Sequence, residues 1–170
     1  MEIVTYPSEI LLAINRPLQK YTPEAAAQVV EMLKLMYRTG GIGLAAPQVG
    51  WNVRLFTLGI PAVGDGDVKH RVLWNPEVET AGDLVPMREG CLSFPRIYAE
   101  IKRWTRVRLR AQSPEGPVDE IFVGLGAQAV QHEMDHLDGI LFLEKMTPAD
   151  RQRNDAAIRA LADSTLKGKS

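Results

Sequence analysis

The chain has 170 residues, 45% of them hydrophobic and 24% charged, with a formal net charge of −1. That length suits one domain able to bury a core without disulfide staples, and the composition excludes a disordered chain or a bulk-apolar membrane protein. So small a net charge gives no global attraction to nucleic acid or anionic lipid, and DNA binding has no bulk support.

The N-terminus, Met1-Glu2-Ile3-Val4-Thr5-Tyr6-Pro7, lacks the basic and apolar regions of a secretory signal and the Arg-rich character of a transit peptide. No apolar run reaches the roughly 18 to 20 residues needed to span a bilayer, so the expectation is a cytoplasmic protein without membrane association. Thr22-Pro23-Glu24 supplies an N-cap, a first-turn proline and an early acid, and Val29, Val30, Leu33, Met36 and Tyr37 recur at helical spacing until Gly40 and Gly41 stop the helix. The segment from Gly41 to Gly50 is too glycine-rich for a helix and lacks the Lys-Ser/Thr end of a phosphate loop. Its glycines let backbone groups approach a ligand and Gln48 offers an amide donor beside them, although a tight turn after a helix is the plainer account. Residues 52–58 and 72–78 read as strands, with Gly64-Asp65-Gly66-Asp67 a loop between them.

Thr105 to Gln112 is the clearest strand: Val107, Leu109 and Ala111 face one side, while Arg106, Arg108 and Arg110 face the other as a solvated surface. Ser113-Pro114-Glu115-Gly116 turns it back toward a partner strand at 121–123. A helix runs from about Leu125 to Asp138, with Gly139 as a left-handed cap. Thr147-Pro148-Ala149-Asp150 starts a C-terminal helix expected over 148–163, followed by a flexible tail at 164–170. With no internal repeat or low-complexity block, the chain reads as one mixed α+β domain over 1–170.

His132 and His136 stand four residues apart on the helix, so their imidazoles project from one face and can share an ion. Glu133 completes His-Glu-x-x-His, in which the carboxylate takes a proton from a water that the metal activates. Leu125 and Ala129 lie on the same face, so the stripe points inward. Short motifs recur by chance, and a histidine pair on a helix surface is the alternative. His70 has no partner motif and is assigned no role.

Two histidines leave a catalytic metal one protein ligand short. Phe142 stands where a metzincin protease needs its third histidine, Glu144 follows too soon for a thermolysin-type ligand, and Asp150 reads as a helix-start acid. Cys91, in Glu89-Gly90-Cys91-Leu92-Ser93, could complete a Cys-His-His set, although a lone cysteine is more often a small buried hydrophobe.

In order, Gly41 to Gln48, Glu89 to Ser93 and Gln131 to Leu137 match the elements Gly-x-Gly-Leu-Ala-Ala-x-Gln, Glu-Gly-Cys-Leu-Ser and Gln-His-Glu-x-Asp-His-Leu, and the chain thereby resembles the bacterial-type peptide deformylases. The likeness extends over nearly the whole chain, including Thr105 to Leu109, Ile140-Leu141-Phe142 and the terminal helix. It implies an α+β domain of antiparallel sheets packed around a central metal-binding helix. It further implies that Cys91, His132 and His136 hold one divalent metal, natively Fe(II), on donors that Zn, Ni or Co also suit.

The implied reaction is hydrolysis of N-terminal formyl-methionine on new polypeptides, with Glu133 moving the proton and formate released. Gln48 and the Leu92 backbone N–H are implied to surround the developing oxyanion. Ile42, Gly43, Glu89, Leu125 and Ala129 map near the methionine pocket and a peptide-binding strand. Tyr98 and Gln128 depart from residues common in bacterial relatives, arginine often standing at the first of these positions, which leaves contacts beyond methionine open. Two other readings are a His-Glu-x-x-His protease, weakened by the missing later ligand, and an inactive relative that docks on ribosomes. In the latter, Arg151, Arg153, Arg159, Lys167 and Lys169 would meet rRNA phosphates, against a simply solvated helix; intact Glu133, Gln48 and Cys91 argue for activity.

Overall fold

Two long strands, β3 (Val68–Cys91) and β4 (Phe94–Ser113), form the spine of the computed structural model, which describes residues 1–61 and 68–167. With β1 (Gly43–Ala45), β2 (Leu55–Pro61) and β5 (Gly116–Val123) they make one antiparallel sheet in the order β1-β2-β3-β4-β5. Three helices pack on it: α1 (Pro23–Arg38), α2 (Leu125–Leu137) and α3 (Pro148–Lys167).

A straight strand of 24 residues would reach about 80 Å, far beyond what one small core can cover. β3 instead breaks register between Trp74 and Glu77, between Ala81 and Leu84, and between Gly90 and Cys91. Such irregularities bend a strand and increase its twist. They divide the sheet into two ends with separate cores. At one end Phe56, Leu58, Leu73, Val107, Leu109 and Phe122 pack on Ala127, Val130 and Leu137 of α2. At the other, Cys91, Phe94, Ile97 and Ile101 gather Phe142, which precedes α3, and Ile158 of α3. α1 seals a third cluster, laying Val29, Met32, Leu35 and Met36 on Leu44, Ala46 and Leu55.

The hairpin β4–β5 keeps the expected faces, with Val107, Leu109 and Ala111 buried and Arg108 and Arg110 outward, paired with Asp119 and Glu79, but the return strand expected at 121–123 already begins at Gly116. Other expectations need correction. The strand expected at 52–58 starts at Leu55, and Val53 makes an isolated parallel bridge with Arg16. The strand expected at 72–78 continues to Cys91, and β4 begins at Phe94. Residues 79–88 of β3 are mostly exposed, so no apolar alternation marks them. In α1, Val30 and Tyr37 are exposed while Met32 and Leu35 are buried. Both flanks of that helix are apolar, and contact with Leu44, Ala46 and Leu55 decides which one turns inward.

α3 starts as expected, with Thr147 Oγ1 accepting from the Asp150 N–H at 3.1 Å, but stays helical to Lys167, four residues past 163. The loop expected at 64–67 and the tail residues 168–170 lie outside the described residues. Among those described, no helix is long and apolar enough to cross a membrane.

The end of α2 carries unsatisfied carbonyls, as every helix terminus does. Asn15 covers them: its backbone N–H donates to the Leu137 carbonyl at 2.9 Å, and its Nδ2 donates to the His136 and Leu137 carbonyls at 3.3 Å each. The helix that carries both histidines is thus pinned to the N-terminal segment. We expect Asn15→Ala to lower stability by about 1–2 kcal/mol in urea unfolding; an unchanged midpoint would show that this clamp adds nothing.

Candidate metal centre and active site

α2 sets His132 and His136 one turn apart, their ring centroids separated by 5.0 Å at 80°. The end of β3 brings Cys91 against them, its Sγ 3.2 Å from His136 Nε2. Cys91 Sγ and one ring nitrogen from each histidine lie within 4.8 Å of one another. A thiolate and two imidazoles at that spacing suit a divalent transition metal, so Cys91 is part of a ligand set as well as of the core. Burial, then the nearby His132 and Arg103, push His136 well below the ordinary histidine range, favouring the neutral form that a ligand needs. For His132 burial works downward but is outweighed by Cys91 and Glu89, so metal binding there displaces a proton.

His132 is oriented from behind. Its Nδ1 lies 3.0 Å from Glu89 Oε2, which directs Nε2 to the metal side. Glu89 in turn accepts from Arg103 Nε at 2.6 Å and Nη2 at 2.9 Å. The third arm of Arg103, Nη1, donates to Asp135 Oδ2 at 2.6 Å, and Lys145 Nζ donates to Asp135 Oδ1 at 2.6 Å. Desolvation raises the Glu89 pKa, but the bonds from Arg103 and His132 outweigh it and bring it to about 2. Arg103 is only 2% exposed; burial opposes its charge, and Glu89 and Asp135 more than restore it. The Glu89 carboxylate, expected among the substrate-binding groups, is therefore turned to Arg103 and His132, although the residue lines the cleft.

Glu133 points to the metal side with different surroundings. It is 3% exposed, and among the described residues its Oε2 has no hydrogen-bond partner. Burial pushes its carboxyl up to about 7, where it can both accept and return a proton near neutral pH; a bound cation acts in the opposite direction. A methyl group on Gly43 would overlap the Glu133 carboxylate, so the glycine loop leaves room for it. Gln48 is buried and held by its carbonyl: Oε1 accepts from the Ala45 N–H at 2.9 Å, which turns Nε2 toward Cys91 Sγ at 3.4 Å and Ser93 Oγ at 3.3 Å.

Of these groups Gln48, Glu89, Cys91, His132 and Glu133 line a cleft of about 720 Å³. Ile42, Gly43, Leu92, Leu125 and Ala129 line it, as do Tyr98 and Gln128. Ala129 is buried, but Leu125 is 51% exposed at the mouth, so the apolar stripe of α2 turns outward in its first turn. His70 lies on β3 against the Tyr37 hydroxyl and takes no part.

The sequence assigns no role to Arg103 or Lys145, nor to Ser93 and Asp135, although these last two fall within the matched motifs. A signal for Arg103 was present: it shares the inward phase of Ile97, Ala99, Ile101, Val107 and Leu109, where a charge needs a buried partner.

Because Glu89 is held below its ordinary value, its contribution to stability is complete above about pH 4.5 and is lost as pH falls toward 2. A shift of that size corresponds to about 3 kcal/mol. Urea unfolding of the wild type should weaken over this window, and Glu89→Gln should show a shallower acid slope. We also expect Arg103→Met to weaken metal binding roughly 10–100-fold in competition with a chelator; retention of full affinity would refute an orienting role for the Arg103–Glu89 pair.

The model of the family described as Polypeptide deformylase matches residues 1–152. Peptide deformylase 1B, chloroplastic/mitochondrial, of Arabidopsis thaliana is 44% identical over 149 residues, covering 86% of this chain and 54% of that protein. The peptide deformylase of Afipia carboxidovorans is 40% identical over 154 residues, covering 89% and 90%. The chain thus spans about half the length of the plant relative and most of the bacterial one. A crystal structure of the Arabidopsis protein in complex with an inhibitor superposes with a TM-score of 0.91 at 40% identity, covering 99% of this chain and 93% of that one. Peptide deformylase from Plasmodium falciparum gives a TM-score of 0.91 at 30% identity, covering 99% of each.

Proposed function

Because the chain belongs to the polypeptide deformylase family, we propose that it hydrolyses the formyl amide of N-terminal formyl-methionine on new polypeptides, releasing formate and a free amine. The observation that carries this is the closed Cys91-His132-His136 set beside a buried carboxyl, Glu133, with one oxygen unpartnered. The protease alternative loses its candidate ligands: Phe142 is in the core, Glu144 accepts from the Leu141 N–H, and Asp150, in the first turn of α3, accepts from the hydroxyl of the capping Thr147.

Cys91, His132 and His136 would hold a divalent metal, which would supply Lewis acidity toward the formyl group and a water. Glu133 takes the proton from the attacking water and returns it to the nitrogen as the C–N bond breaks, so one carboxylate serves both steps. Gln48 Nε2, already fixed by its carbonyl, and the Leu92 N–H donate to the formyl oxygen as negative charge gathers there. β1 is an edge strand, so Gly43 and the preceding Ile42, whose carbonyl already accepts from the Gly59 N–H at 2.9 Å, can offer their remaining backbone groups to an extended peptide while Leu125 and Ala129 wall the methionine side chain.

The native metal is proposed to be Fe(II), and the setting a cytoplasm in which chains begin with formyl-methionine. A transient ribosome contact through α3 belongs to the same proposal. Its Arg153 and Arg159 are already paired with Asp150 and Asp155, which among the described residues leaves Arg151 and Lys167 to meet rRNA phosphates, Lys169 lying outside them. Charge reversal at those two positions should abolish salt-dependent co-sedimentation with ribosomes.

The central test is anaerobic formate release from formyl-Met-Ala-Ser, with metal content measured on the same samples. Glu133→Ala should lose turnover and keep its metal. Cys91→Ser should lose the metal, His70→Ala should lose neither, and Gln48→Ala should slow turnover on the order of 10²–10³-fold. An iron-loaded preparation that cleaves casein but releases no formate would refute the proposal.

A further inference from the structure

The open end of the cleft carries two guanidinium groups that the chemistry above does not use. Arg88 of β3 and Arg96 of β4 both line it. Among the described residues neither has an acidic partner within ion-pair distance. The acids that line the same cleft are Glu89, taken up by Arg103 and His132, and Glu133, buried on the floor. Glu100, opposite Arg88 in the strand register, is exposed and forms no ion pair with it. The mouth of the cleft is therefore locally cationic in a chain whose net charge is −1.

Arg88 is also held in place. Its guanidinium carbon lies 5.2 Å from the centroid of the Tyr98 ring, within cation–π range. The Arg88 carbonyl accepts from Gln128 Nε2 at 2.9 Å, and the Tyr98 carbonyl accepts from Asn154 Nδ2 of α3 at 3.0 Å. Gly90 makes room for the ring, since a Cβ there would stand 2.6 Å from it. Arg96 adopts φ 64°, a left-handed conformation that takes its side chain off the regular strand alternation. A guanidinium seated on an aromatic face keeps its N–H donors free, and ordering it beforehand reduces the entropy lost when a carboxylate docks.

Resting on the deformylase reading, we propose that Arg88, seated on Tyr98, and Arg96 form a carboxylate-recognising subsite that favours formyl-Met peptides with an acidic side chain in the second or third residue. The residues that set this preference include Tyr98 and Gln128, the two departures noted in the sequence. The subsite lies at the mouth of the cleft and acts through substrate capture, so its effect belongs in KM.

The test compares C-terminally amidated formyl-Met-Asp-Ala and formyl-Met-Ala-Asp with their Asn and Lys counterparts, which hold length constant while changing charge. For at least one of the two positions kcat/KM should favour Asp over Asn by roughly 3–10-fold, disfavour Lys, and lose most of the preference at about 0.5 M salt. Arg88→Gln and Arg96→Gln should each move the Asp:Asn ratio toward one, whereas Arg88→Lys retains part of it. Tyr98→Phe should keep the ratio and Tyr98→Ala reduce it. Turnover of all peptides with a wild-type Asp:Asn ratio of one at both positions overturns the subsite and leaves the deformylase reading standing. No formate from any peptide overturns both. A wild-type preference that survives both arginine substitutions assigns it elsewhere and also overturns the proposal.

Discussion

Arg103 is the residue on which the site's geometry depends. It sits on β4, 2% exposed, and its guanidinium spans Glu89 on β3 and Asp135 on α2. The metal set is split in the same way, with Cys91 two residues beyond Glu89 and the histidines flanking Asp135 on α2. One planar group with donors in fixed directions therefore ties together the two elements whose separation defines the site. A buried charge of this kind costs several kcal/mol in desolvation and persists only when fully paired. Here two carboxylates meet Arg103 and Lys145, so opposite charges balance. What the network contributes is a fixed register between strand and helix, which packing of interchangeable apolar side chains specifies less sharply.

That dependence also explains which parts of the molecule were legible in the sequence. The helix of His132 and His136, its Gly139 cap, the N-cap at Thr147 and the hairpin at Ser113 to Gly116 are encoded by residues close together in the chain, and the structure has them. The long ribbon of β3 and β4 was read only in part. Its outer half is exposed, and its bends at Gly82 and Gly90 break the alternation that marks a strand. The helical face of α1 was blurred for a similar reason: Val30 and Met32 are equally apolar, and only tertiary contact separates them.

Within the site, the chemical identities were legible and the connections were not. Gln48 could be singled out as an amide near glycines, but which way the amide faces is set by Ala45, three residues away along a 3-10 turn. Glu89 could be placed near the cleft, yet its orientation is decided by Arg103, fourteen positions later on a neighbouring strand. A side chain's type limits what it can do. Its partner decides what it does, and partners distant in the chain leave no local pattern beyond an out-of-place charge such as Arg103.

The two carboxylates of the site show how far environment alone can separate like groups. Both are buried and both stand near His132, yet Glu89 is held at about 2 and Glu133 is pushed up to about 7. Desolvation raises both. Glu89 has Arg103 and His132 to stabilise its charge, whereas Glu133 faces the room left by Gly43 and keeps an unpartnered oxygen. The first is thus a permanent anion suited to orienting a histidine, and the second a group whose proton can move. Exchanging the two environments would leave the composition of the site unchanged and remove its chemistry: a fully paired Glu133 could not give up and regain a proton, and an unpaired Glu89 could not hold His132.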